Sequence, residues 1–139
     1  MESISLVQRE VVMDALGQIK LAIQRLIRWN RDIADLNDLL KSEDGVQVLA
    51  ANCMLIMSIG EGYKKIDRVT EGQLLAMRPD MPWQAIFGMR NHIAHGYFDI
   101  DVDVVCHVLQ EEMEPLLEAT DYLLAQVPLI PVVKGGNHG

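Results

Sequence analysis

Residues whose side chains could carry acid–base and phosphate chemistry are concentrated in one short segment, residues 89–97. Arg90 lies there among apolar neighbours and is the only Lys or Arg residue between Arg78 and Lys134; His95 follows five residues later. A guanidinium group offers a planar set of donors that matches a phosphate or a carboxylate, and an imidazole exchanges a proton near neutral pH. Such a pair can cleave RNA without a metal. The imidazole removes the proton of the ribose 2′-hydroxyl, and the guanidinium stabilises the charged phosphorane.

The same spacing also allows interpretations that involve no catalysis. Arg90 could pair with a buried carboxylate such as Glu61, while His95 caps the C-terminal end of its helix. His92 and His95 are three residues apart and could bind a metal, but apart from Asp99, which is expected in a loop, no third ligand follows at a characteristic spacing. We therefore expect no metal and no cofactor.

Other catalytic arrangements are not favoured by the sequence. The chain has no glycine-rich phosphate loop, and none of its four serines lies in a nucleophile elbow. Cys106 and His107 are adjacent, but neighbouring positions of a helix point about 100° apart, so they do not form a natural nucleophile–base pair.

The elements that must position this segment follow a helical pattern. Residues 5–30 place Leu16, Ile19, Ile23 and Leu26 on one face, which predicts a first amphipathic helix. Residues 33–41 predict a short second helix that closes in a polar turn at residues 42–45. The next helix is predicted over residues 46–67.

The helix over residues 46–67 is apolar on nearly every side as far as Met57. A helix of this kind belongs in the middle of a bundle or at an oligomer interface. Gly60 and Gly62 follow in the same helix, and since glycine lowers helix stability, they indicate close packing against neighbours.

Pro82 favours the start of a helix over residues 83–95, which Gly96 would end. A last helix follows, and its candidate N-caps are Asp99, Asp101 and Asp103. This helix should kink at Pro115. The sequence therefore predicts an all-α fold, an antiparallel bundle of four to five helices. Residues 1–127 would form the domain, and residues 128–139 a flexible tail.

Composition restricts the kinds of partner. The 139 residues carry a net charge of −8, so the mean electrostatic field of the chain repels phosphate groups. Contact with RNA therefore needs a local cluster of basic side chains. Arg25, Arg28 and Arg31 form a stripe that could face phosphate groups or could be the solvated, cationic C-terminal end of the first helix. Two isolated cysteines, the lack of a signal peptide and an apolar run too short to span a bilayer predict a cytoplasmic protein with no membrane contact.

Four motifs occur in order and at characteristic intervals. They are Ile59-Gly60-Glu61, Met81-Pro82-Trp83, Gly88-Met89-Arg90-Asn91 and Ala94-His95-Gly96-Tyr97-Phe98-Asp99-Ile100-Asp101. Together they resemble the HepT-like toxins, a branch of the HEPN superfamily. The resemblance covers residues 46–124, and the N-terminal helix agrees in pattern.

The resemblance implies an all-helical homodimer with its active cleft at the subunit interface. It implies a metal-independent endoribonuclease acting on RNA, not DNA, as the toxin of a two-gene toxin–antitoxin module. The partner would be an MNT-type nucleotidyltransferase antitoxin, which adenylylates a tyrosine beside the active site.

Carried onto this chain, the resemblance makes Arg90 and His95 catalytic and Tyr97 the modified residue. Asn91 would orient the site, and Glu61 would support it. Two alternatives stay open: a non-catalytic helical partner subunit of a nucleotidyltransferase, and a plain interaction module with a buried Arg90–Glu61 pair.

Overall fold

A computed structural model describes residues 1–93 and 99–133 of the chain, and within these ranges the fold is all-α, as predicted. The elements are α1 (Leu6–Asn30), α2 (Glu43–Val69), α3 (Trp83–Phe87), α4 (Met89–Ile93), α5 (Val102–His107) and α6 (Met113–Gln126). Helix α1 packs along both α2 and α6, while α3 and α4 pack against α2. The long helices are antiparallel neighbours, as in the predicted bundle.

Helix α1 begins as the sequence predicts. Ser5 is the N-cap, and its side chain and that of Gln8 bond reciprocally to each other's backbone N–H. The Gln8 side-chain amide also donates to the Val69 carbonyl at 3.0 Å, which ties the start of α1 to the end of α2. The predicted apolar face of α1 is buried in the core.

The second helix predicted over residues 33–41 is wrong in type and extent. The chain forms a 3-10 helix at Leu36–Lys41, and Leu40 is 52% exposed instead of facing the core. Residues 42–45 do not close this helix but begin α2, because the Ser42 hydroxyl oxygen accepts a hydrogen bond from the Gly45 N–H.

Helix α2 is the central element, and its glycines allow close contacts on two sides. A Cβ atom added at Gly60 would lie 2.6 Å from the Ile86 carbonyl oxygen, and one at Gly62 would lie 3.0 Å from Ile19 Cδ1. The close packing predicted from these glycines is therefore confirmed.

The outward side of α2 is apolar in its first half. Val46 and Met54 are 42% and 66% exposed, and Ala50 between them is also exposed. By length and composition alone α2 could cross a membrane, but it packs against α1, α3 and α4. No other described part of the chain covers this face, so the bundle core does not account for it, and the predicted alternative of an oligomer interface stays open.

The single helix predicted over residues 83–95 is interrupted. Gly88 separates α3 from α4, and the Asn91 N–H bonds to the Gly88 carbonyl three residues back, so the α-helical hydrogen-bond pattern is broken there. Glycine is a poor helix former and weakens the helix at this point. Because α2 continues unbroken through Gly60 and Gly62, the break at Gly88 also depends on tertiary packing. The predicted end of this helix, at His95 and Gly96, lies outside the described residues.

The segment between α2 and α3 is fixed by its polar side chains. Trp83 Nε1 donates to the carbonyls of Leu75 and Arg78. The Arg78 guanidinium makes two hydrogen bonds to Asp80 and two to Glu118 of α6, all between 2.7 and 2.9 Å. These hydrogen bonds lower the pKa of both carboxyl groups. The ion pairs therefore hold the start of α3 against α6.

The last helix is not simply kinked at Pro115, as predicted, but is divided into α5 and α6. Asp101 is the N-cap of α5, as one of the three predicted candidates. A π-helical turn, Val108–Glu112, then separates α5 from α6, one turn before Pro115. In a regular α-helix the Pro115 ring would collide with the Glu111 carbonyl, and a π turn at this point is a known cause of helix bending.

The tail predicted over residues 128–139 packs on the domain in its described part. Ile130 is buried, and Val132 pairs with Ile4 in a short parallel bridge. The Val133 N–H donates to the Ile4 carbonyl at 2.8 Å. Residues 134–139 lie outside the described residues.

The contact at Gly60 gives a stability prediction. Gly60→Ala should lower the free energy of unfolding by about 1–3 kcal/mol, because the added methyl group meets backbone that cannot rotate away. Gly17→Ala is the matched control, since a Cβ atom at exposed Gly17 of α1 meets nothing within 4 Å. It should raise stability by about 0.5–1 kcal/mol. Urea unfolding of both variants checks this, and equal effects would contradict the packing.

Candidate active site

The predicted site residues of α4 lie on its exposed side. Arg90 and Asn91 are exposed, while Met89 and Ile93 of the same helix are buried in the core. The sequence therefore fixes the orientation of this short helix through its two apolar anchors. The guanidinium and amide groups between the anchors are directed away from the core.

Glu61 lies at the neighbouring edge of α2. Helices α2 and α4 meet at Gly60 and Met89, because a Cβ atom added at Gly60 would lie 3.7 Å from Met89 Cβ. Glu61 follows Gly60 in the sequence, and Arg90 follows Met89. Glu61 and Arg90 are thus adjacent in sequence to the two residues at which α2 and α4 meet. Both side chains are exposed, and no ion pair joins them. The alternative of a buried Arg90–Glu61 pair is therefore wrong.

His95 and Tyr97 lie outside the described residues, in the segment between Ile93 and Asp99. The structure describes what borders this segment: the Asp101 N–H donates to the Ile93 carbonyl at 2.9 Å. This hydrogen bond joins the end of α4 to the N-cap of α5. The backbone on either side of the segment is consequently held next to the helix that carries Arg90.

The described residues contain no group of three His, Cys, Asp or Glu side chains placed to hold a metal ion. His92 is exposed on α4, and its side chain lies against Gly88. The sequence spacing makes it, together with His95, a possible metal ligand. A Cβ atom at Gly88 would lie 3.7 Å from His92 Nε2.

A cavity beside the site was missed by the sequence reasoning. It has a volume of about 200 Å³ and lies between α3–α4 and α5 with the π turn that follows. Its polar lining comes from His92, His107 and Glu112. The last two are five residues apart across the π turn, a spacing that no regular helical pattern would have singled out.

The arginine stripe of α1 is exposed, as its pattern allows. Arg25 lines a groove between α1 and α2 together with Ser58 and Lys65 of α2. Acidic residues dominate the opposite part of the chain, since residues 99–121 contain eight Asp or Glu and no Lys or Arg. The two regions meet, however, because Arg31 at the end of the stripe lines a second groove together with Glu114 of α6.

Comparison with known proteins adds independent evidence. The family model described as ribonuclease HepT-like matches residues 19–123, a range that contains Glu61, Arg90, Asn91, His95 and Tyr97. The chain belongs to the ribonuclease HepT-like family. This match confirms the resemblance to HepT-like toxins of the HEPN superfamily and extends it into α1.

One curated relative is similar over most of its length. A protein named "Probable ribonuclease HepT", from Thermococcus cleftensis, is 27% identical over 103 residues, which cover 74% of this chain and 86% of the relative. No solved structure matches the chain. The range matched by the family model includes the exposed Arg90 of α4.

Proposed function

We propose that the protein is a metal-independent endoribonuclease that acts as the toxin of a toxin–antitoxin pair. The observation that carries this proposal is the exposure of Arg90 on α4, in a chain of the ribonuclease HepT-like family. RNA is the substrate that the family implies. Nothing comparable favours DNA, which lacks the 2′-hydroxyl that the reaction needs.

In the proposed reaction His95 takes the proton of the ribose 2′-hydroxyl as its oxygen attacks the adjacent phosphorus. Arg90 stabilises the negative charge that develops on the phosphorane oxygens. The bond from phosphorus to the 5′-oxygen then breaks, and that oxygen accepts the proton that His95 took from the 2′-hydroxyl. The products are a 2′,3′-cyclic phosphate and a 5′-hydroxyl end, so the protein needs no nucleophile of its own. Asn91 orients the site, and Glu61 supports it.

We propose that the active form is a homodimer with its cleft at the interface. The support is the exposed apolar stripe of α2, formed at steps of four residues by Val46, Ala50 and Met54. The stripe runs towards Glu61, beside the contact with α4. A two-fold dimer that buries the stripe would bring two copies of Arg90 and His95 to a shared groove and offset the net charge of −8 locally.

We propose that an MNT-type nucleotidyltransferase antitoxin inactivates the protein by adenylylating Tyr97. The Tyr97 hydroxyl oxygen would attack the α-phosphorus of ATP and release pyrophosphate, and the phenolic proton would pass to solvent. Tyr97 is two residues from His95, so the added AMP group places an anion beside the cleft. Its charge and bulk would compete with the RNA phosphate.

Cleavage assays test the catalytic roles. Arg90→Ala and His95→Ala should each lower metal-free RNA cleavage by at least about 100-fold and abolish growth arrest, with unchanged helical circular dichroism. Arg68→Ala removes an exposed base of α2 and should cleave like the wild type. Wild-type rates in both site variants would contradict the assignment. A wild-type protein that binds the nucleotidyltransferase but cleaves no RNA would favour the non-catalytic partner subunit.

Intact-mass analysis tests the modification. Incubation with the nucleotidyltransferase and ATP should add the mass of one AMP group to the wild type and to Tyr122→Phe, but not to Tyr97→Phe. Tyr122 is an exposed tyrosine of α6 and serves as the matched control. The same mass increase in Tyr97→Phe, or full cleavage activity of the modified protein, would be the contrary result.

Light scattering tests the dimer. The wild type should be dimeric at micromolar concentration, and Met54→Glu should be monomeric because it places charges in the buried stripe. Leu129→Glu changes a residue that is 74% exposed near the C-terminus and should leave the dimer intact. A monomeric wild type, or a dimeric Met54→Glu variant, would overturn the proposed interface.

A further inference from the structure

We propose that the cavity between α4 and the π turn is a nucleobase subsite that selects guanine. The proposal rests on the proposed ribonuclease function and concerns which RNA the enzyme recognises. The cavity shares α4 with Arg90: Met89 and His92 line it, and Arg90 lies between them in sequence. An RNA strand that places a phosphate at Arg90 therefore has a base pocket on the other side of the same short helix.

The size and lining of the cavity suit one base. Its volume of about 200 Å³ is below the roughly 300–1,000 Å³ of pockets for drug-sized ligands, so it fits a single flat ring system. Its floor is apolar and consists of the buried residues Ile86, Met89 and Val108. Extruded bases are bound in pockets of this kind, by stacking against aromatic or apolar side chains and by hydrogen bonds to their polar edges.

The polar groups around the cavity favour guanine among the four bases. Glu112 is half-buried and offers two carboxylate oxygens as acceptors. Guanine alone presents two adjacent donors, its N1–H and its 2-amino group, and a carboxylate can accept both. The imidazole of His92 or His107 can donate to the neighbouring guanine O6. Adenine places its N1 acceptor where guanine has a donor, and uracil has no amino group.

The π turn is what brings these groups together. His107 is the last residue of α5 and Glu112 the last of the π turn, and both line the cavity with Val104 and Val108. A regular α-helix would place two residues five positions apart about 140° apart. The wider turn thus directs the carboxylate of Glu112 to the same cavity as the imidazole of His107. Insertions of this kind occur frequently at functional sites.

Nucleotide binding tests the subsite without any need for cleavage. Guanosine 5′-monophosphate should shift the NMR signals of the His92 and His107 imidazole Cε1–H groups, and the other three monophosphates should do so far less. Glu112→Gln should weaken guanosine monophosphate binding about tenfold, the loss expected for one bidentate contact to a base. Glu111→Gln is the matched control, because Glu111 is exposed and outside the cavity lining.

Two results would overturn the subsite: no shift of the His107 signal at millimolar nucleotide, or equal responses to all four monophosphates. Equal losses in Glu111→Gln and Glu112→Gln would also contradict it, because they would reflect net charge alone. Mapped cleavage sites give a second readout: a preference for one guanine position should relax in Glu112→Gln and persist in Glu111→Gln. Selective guanosine monophosphate binding by a protein that cleaves no RNA would support the subsite while refuting the proposed ribonuclease.

Discussion

The close approach of α2 and the α3–α4 segment at Gly60 is the contact on which the site depends. The Ile86 carbonyl oxygen occupies the space that any side chain at Gly60 would need. This approach lets Met89 and Ile93 enter the core, and it leaves Arg90 and Asn91 on the outer side of a helix of only five residues. A helix so short has little stability of its own, so tertiary packing decides which way its polar side chains point.

Two arginines, Arg78 before α3 and Arg90 on α4, have different environments. Arg78 is only 14% exposed, and Asp80 and Glu118 together accept four hydrogen bonds from its guanidinium group. Arg78 is therefore committed to holding the connecting segment on α6. Arg90 forms no ion pair within residues 1–93 and 99–133 and is exposed. Arg78 therefore has a structural role, whereas Arg90 is available to bind an external anion. The exposed acidic residues of α6, Glu114, Glu118 and Asp121, would discourage RNA from binding along that helix.

Sequence patterns predicted the features that depend on local chemistry. The apolar face of α1, the Asp101 cap and the close packing at Gly60 and Gly62 follow from periodicity, capping preferences and side-chain volume. Three features were not predicted correctly because tertiary contacts determine their conformation. They are the short helix within residues 33–41, the break at Gly88 and the packing of the described part of the tail. Ile130 is buried in the core, and Val132 pairs with Ile4, which is distant in sequence.

The candidate site also contains features that the sequence predicted and features that it could not predict. The motif singles out Arg90 and Asn91 as candidates, and the structure shows that both are exposed on α4. The motif could not exclude a buried Arg90–Glu61 pair, because the burial of Glu61 depends on how α2 meets α4. Nor could it find Glu112, which joins His107 only across a π turn.

Chemical rescue of Arg90→Ala tests the central claim most directly, because it separates a chemical role of the guanidinium group from a structural one. Millimolar guanidinium should restore part of the RNA cleavage lost in Arg90→Ala, saturably, and should not restore it in His95→Ala. Urea, which is similar in shape but uncharged, should restore none. Failure of guanidinium to raise the rate above that with urea, or full activity of Arg90→Ala without any addition, would contradict the account.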